Sequence, residues 1–132
     1  MKLDHVCIIT SDAEDLLSWY KDKLGFELLH TWTVEVMPGL TLHYVGRDGF
    51  KIEIVGNVPA PADAQSDPMA NIAPGYNHIA LSVDDLAATL AELEQKDVPA
   101  VAPAMDVPQA GIKAAIIADL DGNMIELIEH IG

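Results

Sequence analysis

Cysteine and basic side chains are what this chain has least of. Its 132 residues include one cysteine, Cys7, so neither an internal disulfide framework nor a cysteine-rich zinc site can form. Lys and Arg number 7 against 21 Asp and Glu, a net charge of −14. The seven cations (Lys2, Lys21, Lys23, Arg47, Lys51, Lys96 and Lys113) are scattered and form no basic tract. That argues against the clustered phosphate contacts of a nucleic-acid binder and against binding to anionic membrane surfaces. No apolar run approaches the roughly 18 residues of a membrane span. The opening Met-Lys-Leu-Asp-His leads directly into folded-looking sequence, without the charged leader and apolar stretch of a signal peptide, so a cytoplasmic protein is expected. A Ser-His-Asp order, a phosphate-binding glycine loop and a nucleotide fingerprint are also missing. Half of the residues are hydrophobic, enough for one packed domain of ordinary size. Most of the carboxylates read as solvated surface. Cys7 lies in an apolar run and reads as a buried, inert thiol.

The chain resembles itself. Asp4-His5-Val6 and Asn77-His78-Ile79 each open an apolar stretch, and their histidines are 73 residues apart. The same offset carries Asp48-Gly49-Phe50-Lys51-Ile52-Glu53-Ile54-Val55 onto Asp121-Gly122-Asn123-Met124-Ile125-Glu126-Leu127-Ile128. Asp12 and Asp85, Leu17 and Leu90, and Lys23 and Lys96 coincide as well. A two-fold duplication without gaps is expected, with units of about 1–56 and 75–132. The stretch 57–74, which carries Pro59, Pro61, Pro68 and Pro74, has no periodicity and reads as a linker.

Each unit reads as strand, helix and three strands. In the first, a strand is expected over 3–9. Ser11 or Asp12 caps a helix whose Leu16, Leu17, Tyr20 and Leu24 make one apolar face, and Gly25 ends it. Strands follow over 26–36, 40–45 and 50–55, with Pro38-Gly39 and Asp48-Gly49 at the turns. The second unit repeats this with strand 77–83, helix 85–96 (Leu86, Leu90 and Leu93 inward) and strands near 98–102, 112–118 and 123–129. The stretch 103–111 reads as a loop. The fold class is α+β, two tandem βαβββ modules.

Two carboxylates stand out. Glu53 lies between Ile52 and Ile54, and Glu126 between Ile125 and Leu127, so each points to the face opposite its apolar neighbours. Each follows a histidine by 48 residues. A carboxylate set in an apolar strand is costly to bury unless it is paired or bound to a metal. His5, Glu53, His78 and Glu126 therefore form a candidate ligand set that is neutral around a divalent cation, a mixed N/O set suited to Ni, Co, Fe, Mn or Zn. Trp19 and Tyr20 read as helix packing, whereas Trp32 is a candidate for lining a pocket. His30 and His43 read as ordinary strand residues, and His130 as exposed.

These features together resemble the glyoxalase/bleomycin resistance/dioxygenase superfamily, the vicinal oxygen chelate fold. The carriers are LDHVCII with His5, WYKDKLGFEL at the helix end, DGFKIEIV with Glu53, GYNHIALSVDDL with His78 and ADLDGNMIELIEH with Glu126. The resemblance covers essentially the whole chain. It implies paired βαβββ modules in an open, cup-shaped mixed sheet around one metal, and a homodimer in which modules complete the site across chains.

The His-Glu-His-Glu set is similar to that of bacterial glyoxalase I, which implies one divalent metal with Ni or Co favoured and Zn, Mn or Fe as alternatives. The implied reaction moves a proton next to a carbonyl through a metal-stabilised enediolate, on a small 2-oxo-aldehyde or its thiol adduct. Glu126 is the expected base and Glu53 its counterpart. An epimerase like methylmalonyl-CoA epimerase and an antibiotic resistance or binding protein of the same fold are the alternatives. The intact four-residue set argues against pure sequestration. One departure concerns glutathione: Ile9 and Gln109 stand where glyoxalase I enzymes carry basic residues, and Arg47 and Lys113 are the candidate substitutes.

Overall fold

Charge and hydrogen bonding define where the helices begin and end. The computed structural model describes residues 1–60 and 74–132. The chain divides into two compact units, Met1–Ala64 and Gln65–Gly132. In the first unit the Asp12 carboxylate accepts a hydrogen bond from the Asp15 N–H and caps α1 (Ala13–Leu24). Glu14 and Asp15 suit the positive end of its dipole, and Lys21 and Lys23 the negative end. Gly25 ends the helix at φ 70°, a left-handed conformation that glycine adopts without strain.

Four strands build the first sheet: β1 (Val6–Ile9), β2 (Glu27–Trp32), β3 (Thr41–Arg47) and β4 (Phe50–Gly56). Their order is β1-β4-β3-β2, with β1 parallel to β4 and the other pairs antiparallel. α1 packs on β4 and β2. Leu16, Tyr20, Phe26, Ile52 and Ile54 are fully buried between helix and sheet. A Cβ at Gly56 would stand 2.3 Å from the Ala13 Cβ, so glycine here lets the start of the helix seat against the sheet.

The second unit has the same plan. It contains β5 (His78–Ser82), α2 (Leu86–Gln95), β6 (Ala102–Val107), β7 (Ile112–Ala118) and β8 (Met124–His130), in the order β5-β8-β7-β6. β5 is parallel to β8 and the rest are antiparallel. Asp85 caps α2 through the Ala88 N–H. Leu86, Leu93, Ile117, Ile125 and Leu127 form its core. The architecture is α+β, two open four-stranded mixed sheets with one helix each.

Several expectations are corrected. β1 begins at Val6, so His5 lies just before the strand. β2 stops at Trp32 instead of 36, because turn hydrogen bonds from Met37 to Val34 and from Leu40 to Met37 take over. The strand expected over 98–102 is β6, Ala102–Val107, in the stretch read as a loop. Val98 is apolar for another reason: its N–H returns to the Leu93 carbonyl and its buried side chain closes the end of α2. Pro103 is tolerated because β6 is an edge strand with an irregular register. Cys7 is exposed, because it lies on the face opposite α1. The expected linker 57–74 falls mostly outside the described residues. No helix among the described residues is long and apolar enough to cross a membrane.

Candidate metal centre

Strand alternation sets the candidate ligands on the sheet face away from each helix. In β4, Ile52 and Ile54 point into the core, so Glu53 points away. Cys7 lies beside Glu53 in the parallel register, and His5, two residues earlier, shares that face. The second unit does the same: Ile125 and Leu127 are buried, Glu126 is not, and Ala80 lies beside it two residues after His78.

Each unit brings its own pair together. His5 Nε2 is 3.9 Å from Glu53 Oε1, and His78 Nε2 is 3.3 Å from Glu126 Oε2. The glutamates are the more buried partners, with side chains 16% and 24% exposed. The other nitrogen of each ring is engaged by the preceding residue. His5 Nδ1 lies 2.7 Å from Asp4 Oδ1, and His78 Nδ1 lies 2.8 Å from Asn77 Oδ1. Both partner oxygens are acceptors, so the Nδ1–H donates and, in the neutral ring, Nε2 carries the lone pair.

That arrangement fits a metal. A neutral imidazole lone pair facing a carboxylate oxygen is repulsive unless a cation or a proton lies between them. Two ligands of one ion, each about 2.0–2.2 Å from it, lie no more than about 4.4 Å apart. Both pairs meet that limit, and an acceptor on the far nitrogen is the usual way a ligating histidine is oriented. The donors are two nitrogens and two carboxylates, with no sulfur. Among the described residues no group of three or more His, Cys, Asp or Glu is gathered as a metal cage, and each unit brings together one histidine and one glutamate.

The surroundings of the first pair are aromatic. Tyr44 lies beside Glu53 in the register, its ring 5.2 Å from that of His5. Trp32 lies 4.7 Å from Tyr44, and His30 stacks on Trp32 at 5.3 Å. Lys51 places its ammonium 4.3 Å over the Tyr44 ring and 3.0 Å from Asp4 Oδ1. Trp32 therefore shares the sheet face of the candidate ligands, as does His30. His43 lies on the other face, bonded to Thr31 at 2.8 Å, and burial holds its imidazole below the ordinary value. The His5 hydrogen bond, with help from Lys51, holds the Asp4 carboxyl below the usual carboxylate range. Partial burial, reinforced by Glu53, pushes the Cys7 thiol up to about 11, so it remains a neutral thiol beside the pair.

The candidate cations of the sequence are occupied. Arg47 donates to the Leu24 carbonyl and to Asp48, and Lys113 lies 3.8 Å from Glu129. Ile9 is exposed on the His5 face, and Gln109 is exposed in a 3₁₀ turn, Pro108–Ala110. His130 is exposed. Sequence reasoning missed Asp4, Asn77, Tyr44 and Lys51. A signal for the first two was present: the residue before each histidine carries an Oδ acceptor at the same 73-residue offset.

Comparison with known proteins identifies the family and the fold. Residues 2–127 match the model of the glyoxalase/bleomycin resistance protein/dioxygenase superfamily. The lactoylglutathione lyase of Salmonella typhimurium is 30% identical over 129 residues, covering 98% of this chain and 93% of that one. The mitochondrial methylmalonyl-CoA epimerase of Mus musculus is 24% identical over 132 residues, covering 96% of this chain and 71% of that protein. A glyoxalase family protein from Enterococcus faecalis shares the fold with a TM-score of 0.81 and 24% identity, over 97% of both chains. The chain belongs to the glyoxalase/bleomycin resistance protein/dioxygenase superfamily.

Proposed function

We propose that this protein is a divalent-metal-dependent lyase or isomerase of the glyoxalase I type, acting on a small 2-oxo-aldehyde or its thiol adduct. The observation that carries the reading is the repeated half-site: a histidine with Nδ1 tied to an acceptor and Nε2 turned on a strand glutamate, once in each unit. His5, Glu53, His78 and Glu126 would hold one ion, with Ni or Co favoured. When bound, the ion supplies positive charge to the substrate oxygens flanking the carbon that loses its proton. Glu126 takes that proton and returns it to the neighbouring carbon, and Glu53 is its counterpart in the other unit. A cleft of about 800 Å³ in the first unit, whose lining includes Leu3, Asp4, Leu29, Arg47, Phe50 and Lys51 and none of the candidate ligands, meets the first pair through Asp4, the neighbour of His5.

The engaged Arg47 and Lys113, with Ile9 exposed on the His5 face, disfavour a highly anionic thiol conjugate. The epimerase reading shares the proton abstraction but returns a proton to the opposite face of the same carbon, and the likeness to methylmalonyl-CoA epimerases supports it. One experiment separates the two. Nickel-loaded protein is assayed on the methylglyoxal–glutathione hemithioacetal, and on 2-oxo thioesters for deuterium uptake from heavy water. Turnover of the first supports the lyase. Exchange without turnover of the first moves the assignment to an epimerase, and inactivity on both rejects the proton-transfer reading. The same reading includes a homodimer in which modules complete the site across chains, and a monomeric mass by light scattering would remove that part.

A further inference from the structure

The two half-sites are alike in their ligands and unlike in what holds them. Around His5 the contacts close into a ring. Asp4 Oδ1 accepts from His5 Nδ1 at 2.7 Å and from Lys51 Nζ at 3.0 Å. Lys51 Nζ lies 4.3 Å over the Tyr44 ring, and the Tyr44 ring meets the His5 ring edge-on at 5.2 Å. Asp4 itself is largely exposed, and an exposed charge pair alone would orient little. Lys51 is more shielded, with 29% of its side chain exposed, and its ammonium is held between a carboxylate and an aromatic face. The imidazole is thus restrained at its nitrogen and at its ring.

The equivalent positions of the second unit differ. Tyr44 faces Glu53 across the ladder, whereas Ile116 faces Glu126. Lys51 becomes Met124 and Asp4 becomes Asn77 at the 73-residue offset. His78 lies 2.8 Å from the neutral Asn77 amide and 3.3 Å from Glu126, and among the described residues no aromatic ring or cation packs on it. A histidine that donates to a carboxylate is a more basic ligand than one that donates to an amide.

We infer that Asp4, Tyr44 and Lys51 are positioning residues that cage the His5 imidazole and fix the direction of its Nε2 toward Glu53. The inference rests on the metal-binding reading above and deepens it.

The test uses the full chain labelled with ¹⁵N-histidine, together with Ni²⁺ titration against a competing chelator. In the metal-free protein, His5 is expected as the Nδ1–H tautomer. Asp4→Ala shifts it toward Nε2–H, and Asp4→Asn largely restores it. Ni²⁺ affinity falls about 10–100-fold in Asp4→Ala. It falls in Tyr44→Leu but not in Tyr44→Phe, which keeps the ring, and it falls less in Asn77→Ala than in Asp4→Ala. An unchanged His5 tautomer in Asp4→Ala overturns the cage. Equal losses in Asn77→Ala and Asp4→Ala show that the carboxylate cage adds nothing a neutral amide does not, and overturn the role of the cage. If the wild-type chain binds no Ni²⁺, the metal reading falls, while the tautomer measurement still decides whether Asp4 positions His5.

Discussion

A histidine offers one lone pair in a fixed direction only when its other nitrogen is committed. Asp4 and Asn77 make that commitment for His5 and His78, through the shortest side-chain contacts either ring has. The glutamates then face nitrogen lone pairs from strands whose neighbouring side chains fill the core. Glu126→Gln keeps the shape of the second pair and removes the proposed base. The expected outcome is a fall in kcat of about 10²–10⁴ with an unchanged circular dichroism spectrum. His43 carries a second prediction at this scale. Burial holds its folded-state value below the ordinary 6.5, so the unfolded chain takes up a proton first as pH falls. The stability it contributes is present above pH 6.5 and is lost as pH drops below it. The slope of Tm between pH 6.5 and 5 is expected to flatten in His43→Gln, and an unchanged slope would refute this.

Each element of the two units is set by a small number of local decisions. Asp12 and Asp85 start the helices at matched positions of the repeat. Asp119, buried beneath the turn from β7 to β8, accepts from the Asp121 and Asn123 N–H groups and from the Asn123 side chain. That turn sets the register that leaves Glu126 opposite Ile116. Asp119→Ala strands these donors and is expected to cost about 1–3 kcal/mol in urea unfolding. Gly56→Ala drives a methyl into Ala13 at the point where α1 meets β4, for about 1–3 kcal/mol by the same measurement. A loss well under 0.5 kcal/mol in Gly56→Ala would show that the helix can shift and that the close seat is not needed.

At the scale of the molecule, ligand set and surface charge act together. A chain of −14 repels anions, and two of its carboxylates are ones a divalent ion would neutralise. A metal that binds the folded state and not the unfolded one raises stability by about 2.7 kcal/mol at 100 times its Kd. Ni²⁺ is therefore expected to raise Tm, a chelator to reverse the rise, and the Glu53→Gln, Glu126→Gln double variant to lack it. A Ni²⁺-dependent shift that persists in the double variant would place the metal elsewhere.

The linear chain already determined the repeat, the α+β class, the helix caps and the four candidate ligands. These depend on local rules: alternation in strands, 3.6-residue spacing in helices, and a fixed 73-residue offset. Errors arose where an apolar residue had two possible uses. Val98 closes a helix instead of starting a strand, and Cys7 lies on an exposed face although its neighbours are apolar. Tertiary structure alone decided which side chains surround each histidine. Tyr44, Lys51 and Asp4 meet at His5 because parallel pairing of β1 with β4 and antiparallel pairing of β3 with β4 bring distant residues into one register. No local propensity encodes that meeting, because the contacts join segments some 40 residues apart and exist only once the sheet has formed.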